Sequence, residues 1–312
     1  MNLETSLAGL RLSHPILIGA GLFKLEHELA KALLIGAAGV EIGGFTYESR
    51  EGNKDGRNFE SFEYGALNSR GLPNLGINYL RQHLNAMVAM AHAAKKVLLV
   101  NVAGDNPDQF AELAMVVIEG GADGVVVNVG CPNKWSGDKQ ERVISYDPRG
   151  FELVLQAVCE NVRSKYPNAR IFVKLSPYFD YVLLAEIDSL INIYKPAAVI
   201  ATNTAPNGYW SKDGQPLLTV TKGFGGYSGV GLRPISRGNT RLHKQYLDPE
   251  IDLVAVGGIN SGRCVDESIT EDGATAVQVV TAIGARHERD DVIGRMLTDY
   301  VEILEARQPA TV

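Results

Sequence analysis

Cysteine is scarce in this sequence, and what there is lies scattered. Cys131, Cys159 and Cys264 stand far apart, without CxxC or metal-ligand spacing. That argues against a disulfide framework and against a bound metal, and suits a reducing cytoplasm. Long apolar runs are missing too, since none approaches the ~20 residues of a membrane span. The start, Met1-Asn2-Leu3-Glu4-Thr5, has neither the basic nor the apolar region of a secretory leader. No stretch is strongly basic and the net charge is −6, so neither nucleic acid nor an anionic membrane is the expected partner. What remains is the composition of an ordinary soluble globular protein, 45% hydrophobic and 21% charged.

Short apolar runs alternate with longer amphipathic ones along the whole chain. Strands are expected over 15–18, 40–42, 97–102, 124–129, 171–175, 197–202, 253–256 and 276–280. Helices are expected over 26–36, 78–94, 108–119, 150–166, 182–194, 235–246, 264–270 and 290–306. The strands are continuously apolar, as in a parallel sheet covered on both faces. Eight such units predict an α/β fold, a (β/α)8 TIM barrel over 1–312 as one domain, with a doubly wound sheet as the alternative. Two connections, 43–76 and 203–234, are long. In a barrel they lie at the C-terminal end of the strands, where active sites sit, so they should converge with the loop after 124–129.

That third loop carries the densest chemistry. The strand Val125-Val126-Val127-Asn128 runs into Val129-Gly130-Cys131-Pro132-Asn133, followed by the polar stretch 134–140. A stiff strand would hold an amide and a thiol while a polar loop closes over them. A lone cysteine is more often a packing residue, but these neighbours favour a chemical role. Asn68, Asn101, Asn128, Asn133 and Asn203 all lie at or just past strand ends, or in the first long loop. Each amide can offer a donor and an acceptor to a planar heterocycle; turn formation explains any one of them, but poorly explains all five. Lys174 lies inside the apolar run Phe172-Val173-Lys174-Leu175, where a cation needs a partner. It would either stabilise negative charge on a reduced cofactor ring or form an ion pair within the barrel. Glycines cluster at Gly19-Ala20-Gly21, Gly225-Gly226-Tyr227-Ser228-Gly229 and Gly257-Gly258-Ile259-Asn260-Ser261-Gly262, and Thr281-Ala282 follows the last strand. Such turns let backbone N–H groups approach a phosphate, which barrels frequently bind after strands seven and eight.

Taken together, these segments resemble the dihydroorotate dehydrogenases, FMN-containing (β/α)8 barrels. The resemblance rests on Arg50-Glu51-Gly52-Asn53, Asn68-Ser69-Arg70-Gly71-Leu72-Pro73-Asn74-Leu75-Gly76, Asn128-Val129-Gly130-Cys131-Pro132-Asn133, Val173-Lys174-Leu175-Ser176-Pro177, 225–234 and Gly257-Gly258-Ile259. A cysteine in the base position resembles the soluble class 1 enzymes. Ala201-Thr202-Asn203-Thr204 and 226–234 are more similar to the membrane-associated class and to the pyrimidine-reducing domain of dihydropyrimidine dehydrogenase. The resemblance implies a cytoplasmic oxidoreductase of pyrimidine biosynthesis that oxidises dihydroorotate to orotate, as a homodimer. Cys131 would take the C5 proton as hydride leaves C6 for the flavin. Asn68, Arg70, Gly71, Leu72, Asn128, Asn133, Asn203 and Thr204 would surround the substrate. Ala20, Gly21, Asn101, Asn128, Lys174 and Thr202 would face the flavin, and Gly229, Gly257, Gly258, Val280 and Thr281 its ribityl phosphate.

The sequence departs from the family pattern at three positions. Gly43 stands where the family carries a lysine that contacts flavin and substrate carboxylate. Arg70 stands where methionine is usual, and Ile18 replaces an asparagine. The alternative expectation is therefore an FMN-binding relative with a different substrate, or without dihydroorotate activity. Arg70 is a candidate for the missing anion contact, since a guanidinium meets a carboxylate with two parallel hydrogen bonds. A colourless lyase or isomerase on the same barrel is the other rival. The acceptor stays open among fumarate, NAD, quinone and oxygen.

Overall fold

The computed structural model describes residues 2–136, 139–284 and 291–307. Eight parallel strands close into a barrel in sequence order: β1 (Ile16–Ile18), β2 (Gly39–Phe45), β3 (Val97–Val102), β4 (Gly124–Asn128), β5 (Ile171–Leu175), β6 (Ala198–Ala201), β7 (Asp252–Val256) and β8 (Ala276–Val279). Helices α1 (Glu26–Ala32), α2 (Gly76–Ala93), α3 (Pro107–Glu119), α4 (Pro148–Lys165), α5 (Tyr181–Tyr194), α6 (Arg233–Tyr246), α7 (Gly262–Thr270) and α8 (Val292–Ala306) follow the strands in turn. The expected (β/α)8 architecture is thus the observed one. Helix α1 stops at Ala32, four residues before the glycine expected to end it. The expected start of the last helix, Asp290, lies outside the described residues.

Strand periodicity divides the apolar residues into two cores. One set faces outward, where Val40, Ile42, Val100, Val125, Val127 and Val173 pack under the helices. The other faces inward, where Leu17, Leu99, Val126, Phe172, Ile200 and Val254 fill the barrel. An N-terminal hairpin, Thr5–Leu7 paired with Leu10–Leu12, adds Leu7, Leu10 and Leu12 to that inner core. Ala8 at its turn donates to Asp252 at the start of β7 and accepts from Arg170 just before β5. The hairpin therefore plugs the N-terminal end of the barrel.

At the opposite end the two long loops do not wander separately. Phe59–Phe62, Gly65–Asn68, Gly225–Ser228 and Ala205–Gly208 form a four-stranded antiparallel sheet that joins them. The sequence did not announce it, because its strands have four residues each and the pairing that joins the two loops spans more than a hundred positions. Asn74, in the loop leading into α2, anchors the first of these connections. Its buried side chain accepts from the N–H groups of Thr46 and Gly76 and donates to Thr46 Oγ1 and the Leu72 carbonyl. Asn53 holds the same loop from the other side, through the Ser69 carbonyl and hydroxyl.

Replacing Asn74 with alanine leaves four polar groups without their partner, three of them backbone. We expect Asn74→Ala to cost about 2–3 kcal/mol, since water will reach some of the orphaned groups. Urea denaturation at constant m-value measures it, and a loss below about 0.5 kcal/mol would show that the loop is held elsewhere.

Candidate active site

A cavity of about 440 Å³ opens at the C-terminal end of the strands, within the usual range for small-molecule sites. Every strand or following loop contributes to its wall except β3. The expected convergence of the three polar loops is observed there, with Asn68, Arg70, Gly71, Leu72, Asn128, Cys131, Asn133, Asn203 and Thr204 around one space. Ala20, Gly21, Lys174, Thr202, Gly229, Gly257, Gly258, Val280 and Thr281 line it as well.

Its floor is a continuous polar layer laid on the apolar barrel interior. At the centre is Glu41, inside β2 and fully buried. Lys174 donates to both its carboxylate oxygens at 3.1 Å, Asn101 to one at 2.6 Å and Gln278 to the other at 2.5 Å. Lys174 also reaches Gln278 Oε1 at 3.3 Å. The layer extends from Asn101 to Asn128 at 3.0 Å and on to Asn203 at 3.1 Å. The ion-pair reading of Lys174 is the observed one, and the ammonium also lines the cavity. Asn101 is placed differently from the expectation: it is fully buried behind Asn128, bonded to Glu41, and absent from the cavity wall. Glu41 and Gln278 were missed. The signal that picks out Lys174, a polar residue inside an apolar strand, applies equally to them.

The side wall carries the thiol and two interlocked amides. Asn133 donates to Asn68 Oδ1 at 2.7 Å and accepts from Gly226 N, while Asn68 donates to the Gly226 carbonyl. Cys131 is partly exposed, and the surface it shows belongs to the cavity. Burial pushes its thiol up; the Asn133 backbone N–H, then Lys134, Lys24 and Arg50, pull it back down. The loop behind it is tied at its base, because Lys134 pairs with Asp105 at 2.6 Å and Glu141 at 3.0 Å. Trp135–Ser136 pairs with Lys139–Gln140, and Gly137 and Asp138 of the expected closing loop lie outside the described residues. Among the described residues, the buried hydroxyls of Thr202 and Thr204 at this wall have no partner.

Two further cations stand at the cavity. The Arg70 guanidinium donates to the Gly21 carbonyl at 3.1 Å and lies 5.2 Å over the Phe59 ring. Lys24, in the loop after β1, donates to the Pro73 carbonyl. Burial, reinforced by Arg70, lowers the Lys24 ammonium to about 8, against the pull of Glu28 and Cys131. Lys24 was not foreseen, because a lysine shortly before a helix reads as an ordinary solvated residue.

The chain is similar to known proteins along nearly its whole length. A family model described as dihydroorotate dehydrogenase matches residues 2–294. A probable dihydroorotate dehydrogenase A (fumarate) of Enterococcus faecalis is 30% identical over 312 residues, covering 98% of this chain and 95% of that protein. One of the same name from Streptococcus pneumoniae is 28% identical over 282 residues, covering 90% and 86%. Among solved structures, DHODH from Eimeria tenella in complex with ferulenol superposes with a TM-score of 0.81 at 20% identity, covering 98% of this chain and 85% of that one. No helix among the described residues is long and apolar enough to cross a membrane.

The floor makes its own prediction. Glu41→Ala removes the only carboxylate paired with Lys174 among the described residues. We expect a loss of about 3–5 kcal/mol, the usual cost of stranding a buried charge. Thermal and urea unfolding measure it, and a near-neutral result would mean that Lys174 finds water or another anion.

Proposed function

Because this chain belongs to the dihydroorotate dehydrogenase family, we propose that it holds FMN in this cavity and oxidises dihydroorotate to orotate, with Cys131 as the base. The observation that carries this reading is that the thiol lines one cavity together with Asn68, Asn133, Asn128 and Asn203 and with Lys174 of its floor. The residues present suit FMN. The buried Thr202 and Thr204 hydroxyls have no partner among the described residues, so a polar ligand there would satisfy them. Gly229 and Gly258 have φ of 92° and 76°, and a Cβ on Gly258 would come within 2.9 Å of the Gly229 carbonyl. Together with Gly257, Val280 and Thr281 they would hold the ribityl phosphate, while Ala20, Gly21, Asn128, Lys174 and Thr202 would face the ring. When bound, FMN supplies the hydride acceptor.

The chain's own residues do the rest. The amides of Asn68, Asn128, Asn133 and Asn203 hold the pyrimidine ring by its donor and acceptor edge. Cys131, as thiolate, removes the C5 proton. Lys174 keeps a positive charge fixed beneath the site, its position set by Glu41 rather than by substrate. A second reading, a cyclic amide other than dihydroorotate, is favoured by Gly43. Its φ is 113°, and a Cβ would lie 2.5 Å from the Asn101 carbonyl. The family's lysine has no room at that position.

Two measurements test the reading. Flavin released from the purified protein by heat should run as FMN; FAD, or none from a folded sample, would sink the cofactor assignment. Anaerobic mixing with dihydroorotate should bleach the flavin band, and Cys131→Ala should keep the colour while slowing bleaching ~10²–10⁴-fold. Burial raises the thiol and only the thiolate is a base, so the rate should climb with pH, its midpoint above the usual thiol value of ~8.5. A flat profile, or an alanine variant as fast as wild type, would remove Cys131 from the mechanism.

A further inference from the structure

The cavity that Cys131 lines also holds two cations, Lys24 and Arg70, whose side chains form no ion pair among the described residues. Gly43 cannot regain a cation, for the steric reason given above. Gly44 is closed as well, since a Cβ there would lie 2.7 Å from Asn101 Oδ1. Besides Lys174, which is paired with Glu41, two cations line the cavity, and they differ in how free they are. Arg70 is engaged by the Gly21 carbonyl and the Phe59 ring, which hold it against the loop. Lys24 is held by its backbone instead: Glu28 accepts from the N–H groups of Lys24 and Leu25 at 2.7 and 2.9 Å. Its ammonium makes one hydrogen bond, to the neutral Pro73 carbonyl, and forms no ion pair among the described residues. An ammonium has three donors, so two remain for a ligand.

We propose that Lys24 is the specificity residue of this site, taking the anionic substituent of a cyclic amide substrate and favouring the Cys131 thiolate by the same charge. This deepens the function proposed above and rests on it. The charged groups facing Lys24 are Arg70, which repels it, and Glu28 and Cys131, which attract it. Those acting on Cys131 are Lys134, Lys24 and Arg50. Neither Lys134 nor Arg50 lines the cavity, and Lys134 is already paired with Asp105 and Glu141. Lys24 is therefore the one cation among these three that can touch substrate as well as act on the thiol.

Calorimetry on the purified flavoprotein tests the first half, with orotate as the anionic probe and uracil as its uncharged counterpart. Wild type should prefer orotate, and Lys24→Met should weaken orotate ~30-fold or more while uracil affinity holds. Lys24→Arg should keep part of the preference, which separates lost charge from lost folding. Orotate affinity should fall as pH rises through about 8, where the free Lys24 ammonium loses its proton. Iodoacetamide labelling of Cys131 against pH, read by peptide mass, tests the second half; Lys24→Met should move the midpoint up by ~1 unit. Equal wild-type affinity for orotate and uracil, or a preference lost only in Arg70→Met, would overturn the specificity role. An unmoved labelling midpoint would overturn the coupling to Cys131. Neither readout requires turnover, so both stand apart from a failure of Cys131 as base.

Discussion

The site depends on one buried carboxylate. Glu41 is fully enclosed, and a charge so placed is tolerated only when its oxygens are occupied by good donors. Lys174, Asn101 and Gln278 fill that role from β5, β3 and β8. Four strands are thereby tied at the height where the apolar interior ends and the cavity begins. The network continues through Asn128 to Asn203, so amides that face the cavity are oriented by partners beneath them. A substrate meeting these groups does not have to order them, and pre-set polar groups are what stabilise developing charge most effectively.

Above this floor the walls are assembled from distant parts of the chain. The sheet that joins the two long loops brings Asn68 beside Gly226, and Asn133 locks both together. Asn74 and Asn53, from the motifs that carry the family resemblance, do not touch the cavity. They fix the backbone that presents Arg70, Gly71 and Leu72 to it. The motifs thus both line the cavity and fix its loops, Asn74 alone making four side-chain hydrogen bonds.

The barrel was legible in the sequence because each strand is buried on both faces and so is continuously apolar. Lys174 and the amides were legible for the complementary reason, as polar residues where burial makes polarity costly. The same contrast marks Glu41 and Gln278, yet a single polar residue in a short run is easily read as a strand end. Asn101 was read by its residue type and strand position, which do not say whether a side chain faces ligand or a neighbour. Lys24 and the loop sheet were illegible because what matters in both is proximity between segments far apart in sequence. The consequence of Gly43 needed coordinates too, since only they place the Asn101 carbonyl where a side chain would go.

The hairpin plug has a consequence for how such a protein can diverge. Both apolar cores, the one under the helices and the one closed by Leu7, Leu10 and Leu12, lie outside the cavity wall apart from Leu22, Ala282, Ile259 and Val256. The apolar packing that closes the barrel is therefore almost separate from the residues that line the cavity. Lys24 and Arg70 stand on that lining and outside both cores, so a change of charge at either position leaves the packing that closes the barrel in place.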